Sequence, residues 1–440
     1  MSFSLLSAAT ACAAMLVAVS AGAADPQISS AVRDQFAAVA ANSQVKQALD
    51  FLKQDDARTL AEQKELVIIP SPPFKEKARA ESFVKRMQAI GCNDAHIDKE
   101  GNVIAVRRGA GNGPALVVSA HLDTVFPEGT DLTIKEKDGR LYAPGIGDDT
   151  RGLAELLSMM RALNEAGIKT TGDIWFVGTV GEEGLGDLRG ARALFRDNTG
   201  LDGFISIDGP QPARITYLAV GSHRYRVTYK GPGGHSFSAF GRPSAIHALG
   251  RAIARIADLR TPGDPKTTFT VGTVRGGTSV NAIAGEASME LDMRSVSMKP
   301  LLEIEASALK AIKDAAAEEN ARWGGDKLTV DIKLVGDRPA GVQPIDAPVI
   351  QAAMLAVQHI GLKPVLDEPA STDSNVAISL GIPAMTLGRG GLNRDSHSIN
   401  EWWDPKDAYL GPQKNLLTAL ALVGIEGVSG PVLAKRAPRQ

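Results

Sequence analysis

The distribution of apolar residues divides the chain into segments of two periods. Across 28–69, Val32, Phe36, Val39, Val45, Leu49, Phe51 and Leu52 recur at helical spacing, and the run Ile69-Pro70-Ser71-Pro72-Pro73 stops the helix. A second helix is predicted over 75–90, with Gly91 placed as its C-cap. Short, almost wholly apolar runs then predict strands at 102–107 and 115–120, joined by the turn 109–113. A helix over 151–166 follows, then buried strands at 173–179 and 203–207. Strands alternating with helices in this way predict an α/β unit, a mostly parallel sheet with helices on both faces.

Between 213 and 340 the rhythm changes. The pattern reads as an interrupted strand (215–230), helix (243–259), two strands (267–274 and 286–294), helix (299–323) and strand (328–334). That β-α-β-β-α-β order is a ferredoxin-like unit. The α/β rhythm resumes afterwards with a helix at 348–360, a strand at 382–387 and a helix at 408–425. The expected organisation is therefore one α/β domain from 25–212 and 341–440, interrupted by an inserted domain at 213–340. The tail 435–440 reads as disordered.

Composition narrows the function little: 44% hydrophobic, 22% charged and a formal net charge of −2 give no sign of a nucleic-acid partner or an anionic membrane. Residues 1–24 read as a secretory signal peptide, with an apolar segment around 5–19 and Ala21-Gly22-Ala23-Ala24 as the cleavage region, although no Lys or Arg precedes the apolar segment. A periplasmic or secreted protein is expected. Once cleaved, it keeps Cys92 as its only cysteine and has no internal disulfide.

Chemistry gathers where the predicted strands end. His121-Leu122-Asp123 follows the first strand, and residues two apart in extended chain share a face. Gly145-Ile146-Gly147-Asp148-Asp149 opens a helix. Gly181-Glu182-Glu183-Gly184, Asp208-Gly209 and Asp395-Ser396-His397 each follow a further strand. Taken singly these are ordinary features: an N-cap pair, a solvated loop, a turn. Five strand-end loops that each offer His, Asp or Glu can instead supply a two-metal site, whose imidazole and carboxylate donors suit Zn²⁺, Co²⁺ or Mn²⁺. No Gly-x-Ser-x-Gly elbow is present to support a serine hydrolase.

These segments, in order and spacing, resemble the M20 family of dinuclear metallopeptidases and amidohydrolases. Gly231-Pro232-Gly233-Gly234-His235-Ser236 matches the opening of that family's dimerisation, or lid, domain. The resemblance implies that His121 and Asp208 hold one metal, Glu183 and His397 the other, and that Asp148 bridges both. It makes Asp123 the acid that orients His121, and Glu182 the general base on a metal-bridging water. It also implies that His235, reaching the site from a partner subunit, joins Asn281 and Arg294 in binding substrate, the last two gripping its carboxylate. Arg338, near the hinge, is a further substrate-side candidate. The expected protein is a homodimer through the inserted domain, with two divalent ions, zinc first. Its expected activity is hydrolysis of short peptides with a free carboxylate. An N-acyl-amino-acid deacylase or glutamate-type carboxypeptidase is the near alternative, and a non-catalytic peptide binder the remote one. Gly-Asp-Asp-Thr-Arg-Gly and Gly-Glu-Glu-Gly-Leu-Gly-Asp look most like the peptidase-T branch.

Overall fold

The computed structural model describes residues 28–439 except Asp326 and Asp367, so the segment 1–24, read above as a signal peptide, lies outside the described residues. The predicted helical run 28–69 is three helices, Ser30–Ala41, Ser43–Gln54 and Asp56–Val67. The breaks fall at polar caps. Asn42 leaves helical geometry (φ −64°, ψ 135°) and accepts from the N–H groups of Gln44 and Val45. Asp55 ends the second helix, and its carboxylate is buried against Arg161 Nη2 at 2.6 Å and Ser158 Oγ at 2.8 Å.

The central sheet has seven strands in the order His96–Ile97, Val103–Arg107, Asp173–Thr179, Ala115–His121, Gly203–Gly209, Ala384–Gly388, Ile215–Thr216. The middle four run parallel, and the remaining pairings are antiparallel. The predicted strands flanking the turn 109–113 do not pair with each other, because Asp173–Thr179 lies between them. In helix Thr150–Glu165 the first 14 of the 16 residues, Thr150 through Leu163, are buried without interruption. That helix covers one face of the sheet together with Pro348–His359 and Leu410–Val423, whose apolar residues form the main core.

The inserted unit is a separate four-stranded antiparallel sheet, ordered Thr267–Gly276, Glu286–Ser295, Gly221–Lys230, Thr329–Arg338, with helices Ala245–Ala257 and Met298–Arg322 against it and an independent core. The interrupted strand predicted at 215–230 is three pieces with different partners. Ile215–Thr216 completes the edge of the central sheet, Leu218–Ala219 pairs with Gly341–Val342, and only Gly221–Lys230 belongs to the inserted sheet.

A small sheet absent from the sequence reading joins Leu392–Arg394, Trp402–Asp404, Arg140–Tyr142 and Lys135–Lys137. Trp402 pairs with Tyr142 and Trp403 with Leu141, so the loop carrying His397 is tied to the loop carrying Asp148. The described part of the tail, 435–439, is held to the domain rather than disordered as expected: Arg436 N donates to Asp202 Oδ1 at 2.6 Å, and Arg439 Nη2 to the carbonyls of Phe195 (2.6 Å) and Asn198 (3.0 Å). Arginine side chains that reach helix and loop carbonyls outweigh the local signal of a polar, proline-containing end.

One buried cation has a testable consequence. Lys414 Nζ, with no exposed surface, donates to Gly388 O at 2.8 Å, and burial pulls its pKa from 10.5 down to about 7 against the opposing field of Glu155. Between pH 7 and 10 the unfolded chain holds a proton that the folded chain has released, so this residue makes stability rise with pH across that window. Below pH 7 its contribution is flat. Thermal melts should therefore show Lys414→Met losing ground to wild type as pH rises from 7 to 10. Parallel Tm–pH curves would place the lysine in a more polar setting.

Candidate metal centre

Four parallel strands end on one edge of the sheet, and that edge collects the acids and histidines. His121 pairs with Thr179 at the ends of their strands, and Gly209 lies beside Gly388. The loop after His121 is braced from behind: Ser71 Oγ and Arg79 Nη1 both donate to Leu122 O, at 2.8 and 2.9 Å.

Asp148 sits between the two histidines. Its Oδ1 lies 3.0 Å from His121 Nε2, and its Oδ2 lies 3.4 Å from His397 Nε2. His397 Nε2 also meets Glu183 Oε1 at 2.8 Å, and His121 Nε2 is 3.8 Å from Asp208 Oδ1. Donor atoms of His121, Asp148 and Glu183 converge closely enough to share one cation, as do those of His121, Asp149 and Asp208. Asp149 is otherwise engaged. Its oxygens accept from His121 N (3.0 Å), Gly152 N (3.2 Å) and Arg389 Nη1 (2.8 Å), which makes it the helix cap, while Asp148 faces the two histidines and accepts from Arg389 Nη1 at 3.2 Å.

The electrostatics report crowding of like charge. Burial, reinforced by the negative charge of Asp148, pushes Asp208 up to about 7. Hydrogen bonds to Asp148 and Glu183 push His397 up to about 11. Burial disfavours a charged His121, yet its contacts with Asp123 and Asp148 outweigh this and raise it well above the usual imidazole value. Two imidazoles held as cations among buried carboxylates stand where divalent ions would relieve the same repulsion. The donor set, imidazole and carboxylate only, fits such ions.

Asp123 has two functions. The hydrogen bond at His121 Nδ1 goes to the Asp123 backbone carbonyl at 3.0 Å, while its Oδ1 stands 3.7 Å from the ring. The carboxylate itself accepts from the N–H groups of Glu182 (3.0 Å) and Glu183 (2.8 Å), so it fixes the loop that carries both glutamates. Asp123→Asn should therefore lower kcat about 10–100-fold while both metals remain bound in metal analysis. Loss of both ions in that variant would make Asp123 a ligand instead.

Glu182 and Glu183 point apart. Glu183 faces His397, and Glu182 Oε1 lies 3.3 Å from Arg338 Nη1. Both open on a cleft of roughly 680 Å³ between the two sheets, whose far wall carries Arg224, Asp292, Arg294 and Arg338. Asp292 is shared by Arg224 Nε (2.9 Å) and Arg294 Nε (2.8 Å), two guanidinium groups on one carboxylate.

His235 and Asn281 are not brought to this cleft within the chain. They are both exposed, His235 in the short strand Gly234–His235 and Asn281 just before its partner strand Ala282–Ile283, where His235 Nδ1 accepts from Phe237 N at 3.2 Å and Asn281 Oδ1 from Ser279 Oγ at 2.7 Å. Two further residues of the site escaped the sequence reading. Glu401 accepts from the N–H groups of Gly145 (2.8 Å), Gly147 (3.0 Å) and Asp148 (3.0 Å) and shapes the ligand loop. No strand end marks it in the sequence. Arg389 follows the strand Ala384–Gly388 directly and contacts Asp148, Asp149 and Asp208. A strand-end search that admitted arginine would have found it.

A parallel sheet with this donor set at its carboxyl edge, facing a cleft under an inserted domain, is the architecture of a metal-dependent hydrolase. Residues 117–421 match Peptidase family M20/M25/M40, and the chain belongs to that family. It is a hydrolase acting on peptide or amide bonds. It is 26% identical over 370 residues to the Bacillus subtilis (strain 168) protein YqjE, covering 79% of this chain and 93% of that one. It is 31% identical over 253 residues to acetylornithine deacetylase of Myxococcus xanthus, covering 52% of this chain and 63% of that one. The crystal structure of aminopeptidase PepT from Bacillus cereus ATCC 10987 shares the fold, with a TM-score of 0.66 at 24% identity over 82% of this chain and 97% of that one.

Proposed function

We propose that the protein hydrolyses short peptides bearing a free carboxylate, with His121 and Asp208 holding one divalent ion, Glu183 and His397 a second, and Asp148 shared between them. The observation that carries this reading is Asp148, which turns one oxygen toward each histidine. Zinc is the first choice of metal, with cobalt or manganese as alternatives. When bound, such a pair polarises a scissile carbonyl and lowers the pKa of the attacking water. Glu182 takes the proton from that water and delivers it to the leaving nitrogen. Arg338 holds the Glu182 carboxylate in place from the lid side.

The substrate's carboxylate is assigned to Arg294, 42% exposed in its side chain and bound to an Asp292 that it shares with Arg224, which leaves this wall net positive. An N-acyl amino acid would offer the same carboxylate, and the likeness to acetylornithine deacetylase keeps that second reading in view.

A mass-spectrometric digest of di- and tripeptides and N-acyl amino acids, with Zn²⁺, Co²⁺ or Mn²⁺ added, separates these readings. Free-carboxylate peptides should be cleaved. C-terminal amides, and Arg294→Met acting on free acids, should lose about 10–100-fold in kcat/KM. Equal turnover of acids and amides would overturn the role of Arg294.

His235 and Asn281 are assigned to the cleft of a second copy. Their exposure beside Phe237 (88% exposed) and Phe240 (78%) supports a homodimer through the inserted domain. Sedimentation would detect the dimer, and a verified monomer with unchanged kcat would remove the role in trans. The signal-like residues 1–24 assign the protein to the periplasm or the medium, which cell fractionation tests.

A further inference from the structure

The ligand set is symmetric in kind but not in surroundings. We propose that Arg389 is a resident cation that makes the two ion positions unequal, so that the position at His121 and Asp208 fills second and more weakly. This rests on the two-ion reading above. Arg389 Nη1 lies 3.2 Å from Asp148 Oδ1, the same oxygen that faces His121, and Nη2 lies 3.4 Å from Asp208 Oδ1. On the other side, Glu183 has an ion pair with His397 alone among the described residues.

The guanidinium is built into the fold and cannot swing aside. Its side chain is 4% exposed, and it donates to the carbonyls of Gly147 (2.8 Å), Asp208 (3.2 Å) and Gly209 (3.2 Å) as well as to Asp149. The backbone around it is held equally firmly. Arg389 N donates to Gly209 O at 2.9 Å, Lys414 Nζ to Gly388 O, and Gly390 N to Glu155 Oε1 at 2.6 Å. A Cβ on Gly388 would meet Gln211 O at 1.6 Å, so this turn has no room to shift.

Two opposed effects follow. Without metal, Arg389 offsets the repulsion among Asp148, Asp149 and Asp208 and keeps the ligands gathered. With metal, a fixed unit charge touching two ligand oxygens opposes a dication, by on the order of tenfold or more in affinity even at the dielectric of bulk water. The opposite position feels the same charge from farther away.

The test is a Zn²⁺ titration of the metal-free full-length protein against a chromophoric chelator. Wild type should bind two ions in steps at least tenfold apart. Asp208→Asn should abolish the weaker step and keep the tighter one, and Glu183→Gln should do the reverse. Arg389→Gln should narrow the gap tenfold or more and lower the Tm of the metal-free protein, while Arg389→Lys keeps the gap. Two equal steps in wild type, or loss of the tighter step in Asp208→Asn, would overturn the proposal even if Arg389→Gln does not fold. A gap unchanged in a folded Arg389→Gln variant would overturn it as well. Binding of a single ion by wild type would instead overturn the two-ion reading on which it stands.

Discussion

Replacing Glu182 by glutamine is expected to lower kcat by on the order of 10²–10⁴ with ion content unchanged. Glutamine keeps the shape of the side chain but cannot accept a proton, and Glu182 faces Arg338 where Glu183 faces His397. Burial lifts the Glu182 carboxyl well above the ordinary value, with the Arg338 cation opposing the lift. The base works as a carboxylate, so rate falls as pH drops through its pKa. Removing the opposing cation raises that pKa, and Arg338→Met should therefore shift the acid limb of the kcat–pH profile to higher pH than in wild type. Wild-type rates in Glu182→Gln would assign the proton transfer to another group. An unmoved limb in Arg338→Met would mean that Glu182 does not set it.

The second large effect is expected at Asp148. An amide cannot share its charge between two cations, so Asp148→Asn should retain at most one ion after dialysis. Because bound ions supply several kcal/mol of transition-state stabilisation, the loss in kcat/KM should exceed about 10³. Asp149→Asn is the informative control. Its neighbour's oxygens face histidines, whereas those of Asp149 are taken up by His121 N, Gly152 N and Arg389. The Asp149 variant should thus lose thermal stability yet keep two ions by metal analysis. The reverse pattern in the two variants would exchange their roles.

Much of the site was legible before any fold was known because of how parallel sheets are built. Strands covered on both faces must be apolar throughout, so the first polar residues after each strand stand out, and they emerge on one edge. His121, Glu182, Glu183 and Asp208 were found in this way. The same rule, restricted to acids and histidines, passed over Arg389. Glu401 gave no signal of any kind: it reaches Gly145, more than 250 residues away in the chain, by way of a small sheet whose strands are too short to show a period. For His235 and Asn281 the fold of one chain leaves the role open, since both stand on its outer surface.

By itself the sequence determined where most of the long strands and helices lie, that a ferredoxin-like unit interrupts an α/β domain, and which strand-end loops carry acids and histidines. Those properties follow from local period and from the need to bury apolar faces. Only the tertiary structure decided that Asp173–Thr179 separates two strands joined by a turn, that the Asp123 carboxylate, beside the His121 ring, also clamps the glutamate loop, and that Asp149 accepts from Arg389. It also set a buried arginine against the donors of one ion position. Each of these is a contact between segments distant along the chain. Such contacts are chosen by packing and by the pairing of buried charges, and neither leaves a periodic trace in the residues themselves.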